Sequence, residues 1–169
     1  MSTEPTPRRG TTWVHHLPTE HEAPAVHAPP SADAAARLVV DRMMAKDEFS
    51  QWLGVEVVEV GVKRATIRMM VRAEMVNGFG TAHGGIVYAF ADSAHAFATN
   101  SDGEICVAVD CSMSYPAAVR PGDVLTATGV EQSTTNRLAF CEVTVRNQHD
   151  TVVGHFRGTV YRTHKPLPE

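Results

Sequence analysis

Residues 84–100, GGIVYAFADSAHAFATN, constrain the fold of this chain more than any other segment. If the segment is wound as a helix, its apolar residues, among them Ile86, Val87, Phe90 and Phe97, lie around the full circumference. A helix that is apolar on every side is buried inside a protein. The rest of the chain must therefore supply a surface that encloses it.

The sequence on both sides of this helix has the character of β-strands separated by short turns. The strand-like runs cover residues 53–60, 64–71, 105–115, 124–132, 138–147 and 152–162. Because strands and helices do not alternate along the chain, the order β-β-α-β-β-β-β predicts an α+β fold with an antiparallel sheet of five or six strands. We expect this sheet to wrap around the helix.

The first two runs form a predicted hairpin around Gly61. The period of two in the second run divides its side chains between two faces of the sheet. We expect the core to receive Ala65, Ile67, Met69 and Val71, and water to meet Arg64, Thr66 and Arg68.

The chain divides near residue 31. Residues 1–31 contain six of the ten prolines and four of the nine histidines, with almost no apolar periodicity, so we expect a disordered tail. The histidines of the tail are His15, His16, His21 and His27, and no folded scaffold surrounds them, which disfavours specific metal binding. From Ser31, a helix-capping residue type, the pattern predicts an amphipathic helix over residues 32–45. The folded domain is expected to cover residues 32–164.

Composition excludes several classes of protein. The chain has 169 residues, enough for one domain and a tail, with 15 Lys and Arg against 19 Asp and Glu. This acidic balance gives no basic surface for nucleic acid. Since no apolar run approaches the length of a membrane span or forms the core of a signal peptide, we expect no membrane association and a cytoplasmic location. Cys106, Cys111 and Cys141 are expected to be free thiols in a reducing compartment.

The buried helix carries a single acid, Asp92, and no Lys or Arg that could neutralise it. Burying an unpaired carboxylate costs several kcal/mol, so its presence requires a reason. One explanation is a catalytic carboxylate. The other is a structural polar pair with His95, which lies three residues further on and on the same face of the helix.

The segment before the helix, NGFGTAHGG, carries four glycines in nine residues and ends at the positive terminus of the helix. Backbone amides in such a segment can approach a ligand closely, which indicates a site for an oxyanion or a polarised carbonyl. The alternative is a loop that only turns the chain. That alternative explains the glycines but accounts less well for Asn77 and His83.

These residues together closely resemble the signature of the PaaI-like hotdog-fold thioesterases, the phenylacetate-degradation group. Asn77 lies six residues before His83, Gly84 and Gly85 follow the histidine, and Asp92 lies nine residues beyond it. The similarity extends over residues 38–163. It implies the hotdog fold, in which an antiparallel sheet wraps around a central helix.

The resemblance implies hydrolysis of acyl-coenzyme A thioesters to a free acid and coenzyme A. In that family pattern the backbone N–H of Gly84 polarises the thioester carbonyl, and Asp92 acts as the nucleophile or as a general base. Asn77 would position the water or the acyl group, and His83 would hold the loop. The acyl group is expected to be aryl-acetyl, such as a hydroxyphenylacetyl-like group, or of medium chain length. No metal or redox cofactor is implied.

Some positions depart from the family pattern. His95 is expected to hydrogen-bond to Asp92 or to line the acyl pocket. Ala108 lies near a position where some relatives place a hydroxyl, for which Ser112 or Ser114 would substitute. The residues expected to bind substrate are Gly85, His95, Ser112, Arg120 and Arg137, the two arginines as partners of the coenzyme A phosphates.

The site is expected to be shared between two chains. Asp92 lies eight residues beyond Gly84, which is roughly 12 Å along one helix, too far for one carbonyl carbon to touch both. A two-fold homodimer with antiparallel helices would bring each Gly84 towards the other chain's Asp92, as the resemblance also implies. A dimer of dimers, that is a homotetramer, is expected.

Two other functions remain open on the same fold. A non-catalytic acyl-coenzyme A-binding regulator would be expected to lack the acid at Asp92 and to carry a DNA-reading helix pair. A dehydratase or hydratase would need a catalytic histidine with a separate acid, which His83 and Asp92 could imitate. The spacing from Asn77 to the paired glycines favours thioester hydrolysis.

Overall fold

The computed structural model describes residues 31–168, so the predicted tail and its four histidines lie outside the described residues, apart from Ser31. The helices are α1 (Ala32–Lys46), α2 (Glu48–Leu53) and α3 (Gly84–Asn100), with one 3-10 turn at Ala73–Met75. The strands are β1 (Glu56–Gly61), β2 (Arg64–Met70), β3 (Glu104–Ser114), β4 (Val124–Thr134), β5 (Leu138–Arg146) and β6 (Val152–Pro166).

All six strands form one antiparallel sheet in the order β1-β2-β4-β5-β6-β3. Helix α3 contacts β2, β3, β4, β5 and β6, so the sheet curves around it. The predicted α+β architecture, with an antiparallel sheet around a central helix, is therefore confirmed. No helix within residues 31–168 is long and apolar enough to cross a membrane.

Helix α3 lies very close to the sheet because two strand positions have no side chain. A Cβ atom at Gly129 of β4 would lie 2.9 Å from the backbone oxygen of Ala94. A Cβ atom at Gly158 of β6 would overlap the imidazole ring of His95. Glycines inside strands often mark such close approaches. They let α3 bury Phe90 and Phe97 completely against the sheet.

The region before β1 differs from the prediction. Residues 48–53 form α2, whereas the sequence pattern predicts a strand from residue 53. Local capping explains the difference: the side chain of Asp47 accepts the N–H of Ser50 at 2.9 Å, and Gly54 ends the helix at a φ of 80°. Strand β1 therefore begins at Glu56.

The two faces of β2 follow the predicted alternation at all positions but one. Ala65, Ile67, Met69 and Val71 are buried, and Arg64 and Arg68 are exposed. Thr66 is buried instead of exposed. Its hydroxyl hydrogen-bonds to that of Thr128 on β4 at 3.2 Å, and its short side chain lies between those of Arg64 and Arg68.

Within residues 31–168, strand β3 forms one edge of the sheet and is paired only with β6. Its eleven residues include Val107 and Val109, which are 52% and 59% exposed. Long apolar edge strands that remain open invite pairing with another chain. In the described part of the chain, the outer edge of β3 is therefore without a strand partner, and the strand itself contacts α3.

Candidate active site

The start of α3 is organised by His83. This residue caps the helix, and its Nδ1 atom accepts the backbone N–H of Gly85 at 3.0 Å. The backbone N–H of His83 donates to Met75 at 2.8 Å. The N–H of Gly84 has no acceptor among residues 31–168. A free donor therefore stands at the positive end of the helix dipole, as expected for a group that polarises a carbonyl.

Asn77 acts inside its own loop. Its Oδ1 atom accepts the N–H of Phe79 at 2.9 Å, and its Nδ2 atom donates to the hydroxyl of Thr81 at 3.0 Å. The loop turns at Gly80, which has a φ of 74°. The amide of Asn77 thus holds the segment that leads into His83.

A cavity of about 320 Å³ lies beside Gly84. Its walls come from the segment before α3, from the first turn of α3 and from the segment after β3, and include Thr81, Ala82, Val87, Tyr115, Ala117, Ala118 and Val119. The hydroxyl of Tyr115 donates to the backbone oxygen of Gly84 at 3.0 Å. Burial raises the pKa of this phenol above its usual 10. Tyr115 was not among the predicted site residues, because nothing in its local sequence indicates that β3 ends beside Gly84.

Asp92 lies at the middle of α3 with a side chain that is 47% exposed. The helix is therefore not enclosed on every side, and the carboxylate does not carry the full cost of burial. One of its oxygens, Oδ1, lies 3.5 Å from Nδ1 of His95. This distance is long for a hydrogen bond, but it places the two groups within reach of each other.

His95 is packed into the core rather than placed in an open pocket. It is 1% exposed, and its ring lies 5.3 Å from that of Phe156. Its Nε2 atom has no hydrogen-bond partner in the described part of the chain and points towards Gly158. Of the two roles predicted for His95, the geometry favours the contact with Asp92.

Two further residues stand beside Asp92 that sequence reasoning missed. Cys111 of β3 offers its sulfur to the same region as Asp92 and His95, and the hydroxyl of Tyr88 lies near this thiol. Burial, followed by the charge of Asp92, raises the pKa of the Cys111 thiol. Burial also raises the pKa of Tyr88. Tyr88 lies on α3 itself, one turn before Asp92, whereas Cys111 is distant in sequence and is brought to the helix by the pairing of β3 with β6.

The remaining predicted residues lie further from Asp92. Ser112 is exposed and alternates with Cys111 and Met113, so it occupies the sheet face that points away from α3. With Ser114 it lines a separate cavity of about 360 Å³ on that outer face. Neither hydroxyl can serve the Asp92 of its own chain.

The two arginines predicted to bind phosphates lie at opposite ends of the molecule. Arg120 comes directly after Val119, which lines the cavity beside Gly84, and its side chain is exposed. Arg137 lies in the β4–β5 turn, where its guanidinium donates to the hydroxyl of Tyr161 at 2.9 Å. This turn is near the C-terminal end of α3, so only Arg120 is close to the Gly84 cavity.

Comparisons with known proteins agree with this geometry. Residues 79–154 match the family model described as the thioesterase superfamily. The acyl-coenzyme A thioesterase PaaI of Escherichia coli is 32% identical over 120 residues, which cover 71% of this chain and 86% of that protein.

Two solved structures extend the likeness to the whole fold. The E. coli PaaI protein from the phenylacetic acid degradation operon superimposes with a TM-score of 0.80 at 29% identity, over 82% of this chain and all of that one. A variant of the phenylacetic acid degradation protein PaaI from Thermus thermophilus gives a TM-score of 0.66 at 38% identity, over 69% of this chain and 99% of that one.

Proposed function

The chain belongs to the PaaI-like hotdog thioesterases and is a thioester hydrolase, and from this premise we propose that it hydrolyses acyl-coenzyme A to a free acid and coenzyme A. The observation that carries the proposal is the start of α3, where His83 caps the helix through Gly85 and leaves the N–H of Gly84 free beside a cavity.

The backbone N–H of Gly84 is the proposed hydrogen-bond donor that polarises the thioester carbonyl. A thioester oxygen seated in the cavity would accept its backbone N–H, and the helix terminus stabilises the negative charge that develops on this oxygen. The cap holds the donor in place before the substrate arrives, so little reorganisation is needed at the moment of reaction. Asn77 and His83 are positioning residues in this scheme, because they fix the loop and the first turn of α3.

Asp92 is the proposed base or nucleophile. As a base it removes a proton from water while the water oxygen adds to the carbonyl carbon; the C–S bond then breaks, and the departing thiolate takes up the proton. As a nucleophile its oxygen adds to the carbonyl carbon, the C–S bond breaks and coenzyme A leaves as its thiolate; water then hydrolyses the resulting mixed anhydride and supplies the proton that the thiolate takes up. Both routes require a carboxylate that solvent and substrate can reach, which agrees with its partial exposure.

We propose that each site is built from two chains. Helix α3 is continuous from Gly84 through Asp92, so the roughly 12 Å between them along the axis cannot be shortened within one chain. Two antiparallel α3 helices related by a two-fold axis near residue 88, midway between the two positions, would bring each Gly84 beside the other Asp92.

Two surfaces of the described chain support such a dimer. One is the open edge of β3 with Val107 and Val109. The other is a face of α3 that the chain's own sheet leaves partly open; its positions follow helical spacing and have small side chains apart from the acid, namely Gly85, Ala89, Asp92 and Ala96. Both surfaces lie on adjoining elements, as a continuous interface requires.

The proposed acyl group is aryl-acetyl or of medium chain length. The walls of the cavity beside Gly84 are mostly small and apolar, with Tyr115 as the one aromatic ring, and Tyr88 lies close to Asp92. Arg120 is the proposed partner for a coenzyme A phosphate, since it lies next to the cavity with a free surface for its guanidinium.

A substrate panel tests the proposal. The full chain is incubated with short, medium, long and aryl-acetyl coenzyme A thioesters, and free coenzyme A is measured with a thiol reagent while products are identified by mass spectrometry. Release of coenzyme A and free acid, fastest for aryl-acetyl or medium-chain substrates, supports it. Binding without turnover would indicate a regulator, and an enoyl or hydroxyacyl product would indicate a hydratase.

A further inference from the structure

Asp92 belongs to a cluster that the hydrolytic scheme does not use in full. A carboxylate oxygen of Asp92, an imidazole nitrogen of His95 and the sulfur of Cys111 all lie within 4.8 Å of one another. Carboxylate, imidazole and thiolate are the ligand types that bind Zn²⁺ and related borderline cations, with ligand distances of about 2.0–2.3 Å from the metal. Small side-chain rotations would therefore converge on one ion.

The fold holds these groups together from two elements. Asp92 and His95 lie one turn apart on α3, and Cys111 faces the helix from β3. Cys111 pairs with Gly158 of β6, and the absence of a side chain at Gly158 leaves room for the His95 ring next to the cysteine. His95 is enclosed by the core, whereas Asp92 is half exposed and opens the cluster to solvent.

We propose that Asp92, His95 and Cys111 bind a thiophilic divalent cation such as Zn²⁺, and that its binding inhibits hydrolysis. Inhibition follows from the role proposed for Asp92, since a carboxylate that coordinates a metal can neither remove a proton from water nor attack a carbonyl. Binding itself does not depend on that role. Three protein ligands leave a fourth tetrahedral position, which a water molecule or a small thiol would fill.

The surroundings indicate an exchangeable site rather than a structural one. Coordination converts Cys111 to its thiolate and releases one proton. Coordination through Nδ1 of His95 places the ring proton on Nε2, which has no acceptor in the described part of the chain. Histidines in permanent metal sites usually donate this proton to a second group. The ion should therefore be removed readily by a chelator.

Cobalt is the probe for binding, because thiolate coordination to Co²⁺ gives a near-ultraviolet charge-transfer band that imidazole and carboxylate do not. The full chain is titrated with Co²⁺ under reducing conditions free of chelating thiols. We expect a saturable band that Zn²⁺ displaces and that Cys111→Ser abolishes. Cys106→Ser and Cys141→Ser are the matched controls and should keep it. Co²⁺ bound by histidines elsewhere, including those of the tail, does not produce this signal.

A second measurement needs no variant. In the native chain Zn²⁺ should slow alkylation of Cys111, read peptide by peptide by mass spectrometry, and excess chelator should restore the rate. Cys106 serves as the internal reference, since it is a free thiol that does not belong to the cluster. No cobalt band, a band that survives Cys111→Ser, or an alkylation rate at Cys111 that Zn²⁺ leaves unchanged would each overturn the site.

Inhibition is tested on turnover of the best substrate in the panel. Zn²⁺ should inhibit the native chain reversibly, and Cys111→Ser should require at least about tenfold more Zn²⁺ for the same inhibition. A cobalt band without inhibition by Zn²⁺ would refute the inhibitory role. The two proposals fail separately: a chain that binds cobalt at Cys111 but hydrolyses nothing refutes the proposed function alone, and a chain that turns over without the band refutes the metal site alone.

Discussion

The Nδ1 atom of His83 accepts the backbone N–H of Gly85 at 3.0 Å, and this bond decides which amide at the start of α3 is left for a substrate. The imidazole accepts the N–H of the second residue of the helix. The N–H of the first residue, Gly84, is therefore the free donor. Gly85, predicted to bind substrate, has its N–H engaged by the cap instead. The histidine of the motif thus acts through the helix it caps.

Substituting His83 separates capping from proton transfer. His83→Ala removes the cap acceptor and should lower the free energy of unfolding by about 0.5–2 kcal/mol. It should also lower kcat by up to about 10²-fold, because Gly84 is no longer held in place. His83→Asn keeps a capping oxygen and should retain most of both properties. Thermal denaturation and steady-state kinetics check this; equal activity losses in the two variants would contradict a capping role.

The open edge of β3 gives a prediction about assembly. Val109→Lys places a charge on this edge and should yield monomers with little activity, measured by light scattering and turnover. Val58→Lys is the matched control, because Val58 is also an exposed valine, at 51%, on the opposite edge strand β1. It should remain oligomeric and active. A Val109→Lys protein that stays oligomeric and active would exclude this edge from the interface.

Adding a side chain at Gly158 should destabilise the contact between α3 and the sheet. Gly158→Ala places a methyl group against the buried His95 ring and should destabilise the fold by about 1–3 kcal/mol. Adding His95→Ser should recover part of this loss, because the smaller side chain leaves room. Gly78→Ala, where no atom lies within 4 Å of the added Cβ, should have little effect. Chemical denaturation of the native chain, Gly158→Ala, His95→Ser, the double variant and Gly78→Ala decides; independent, additive losses would show that the two residues do not meet.

The carboxyl group of Glu104 should make the stability of the fold depend on pH. Burial acts to raise its pKa, but hydrogen bonds from Arg162 and from the backbone N–H of His164 outweigh this effect and hold the pKa below its usual 4.5. A carboxylate with a lowered pKa in the folded state stabilises the fold above its unfolded pKa and loses this contribution as pH falls through the folded value.

The native chain should therefore exceed Glu104→Gln in stability at neutral pH, and the difference should shrink below about pH 4.5. Thermal melts of both proteins between pH 3 and pH 7 measure this, with the exposed Glu59→Gln as control. A difference that stays constant over the whole range would show that the ion pair with Arg162 contributes nothing.

Strong local patterns were sufficient to predict much of this molecule. The bounds of α3 and the succession of strands along the chain follow from the apolar helix and the alternating runs, because burial of these patterns dominates the folding free energy. The sequence analysis did not predict helix α2. The apolar run nearby has the pattern of a strand, and this pattern masks the local capping by Asp47 and Gly54 that forms the helix. Thr66 was misplaced because the hydrogen bond that buries it comes from another strand.

The site was predictable where the motif is contiguous and much less so elsewhere. Asn77, His83 and Gly84 lie within eight residues, so their arrangement follows from one loop and one helix cap. Cys111 lies on β3 and Tyr115 directly follows this strand, whose register against β6 contains two irregularities that no sequence pattern reveals. The orientation of Ser112 away from α3 depends on that same register.

The central claim is that one active site needs Gly84 and its loop from one chain and Asp92 from another. Two variants damage the two halves separately. Asp92→Asn should lower kcat by about 10²–10⁴ with little change in KM. Asn77→Ala should disrupt the loop that leads to Gly84 and be nearly inactive as well.

Mixing these variants tests the claim most directly. They are unfolded together in equal amounts and refolded so that subunits pair at random, and mixed dimers are verified by native mass spectrometry. Half the dimers are then mixed, and each contains one site with both halves intact, so about a quarter of the native activity should return. If the residues instead worked within one chain, every site would keep one lesion, and mixed dimers without recovered activity would contradict the shared site.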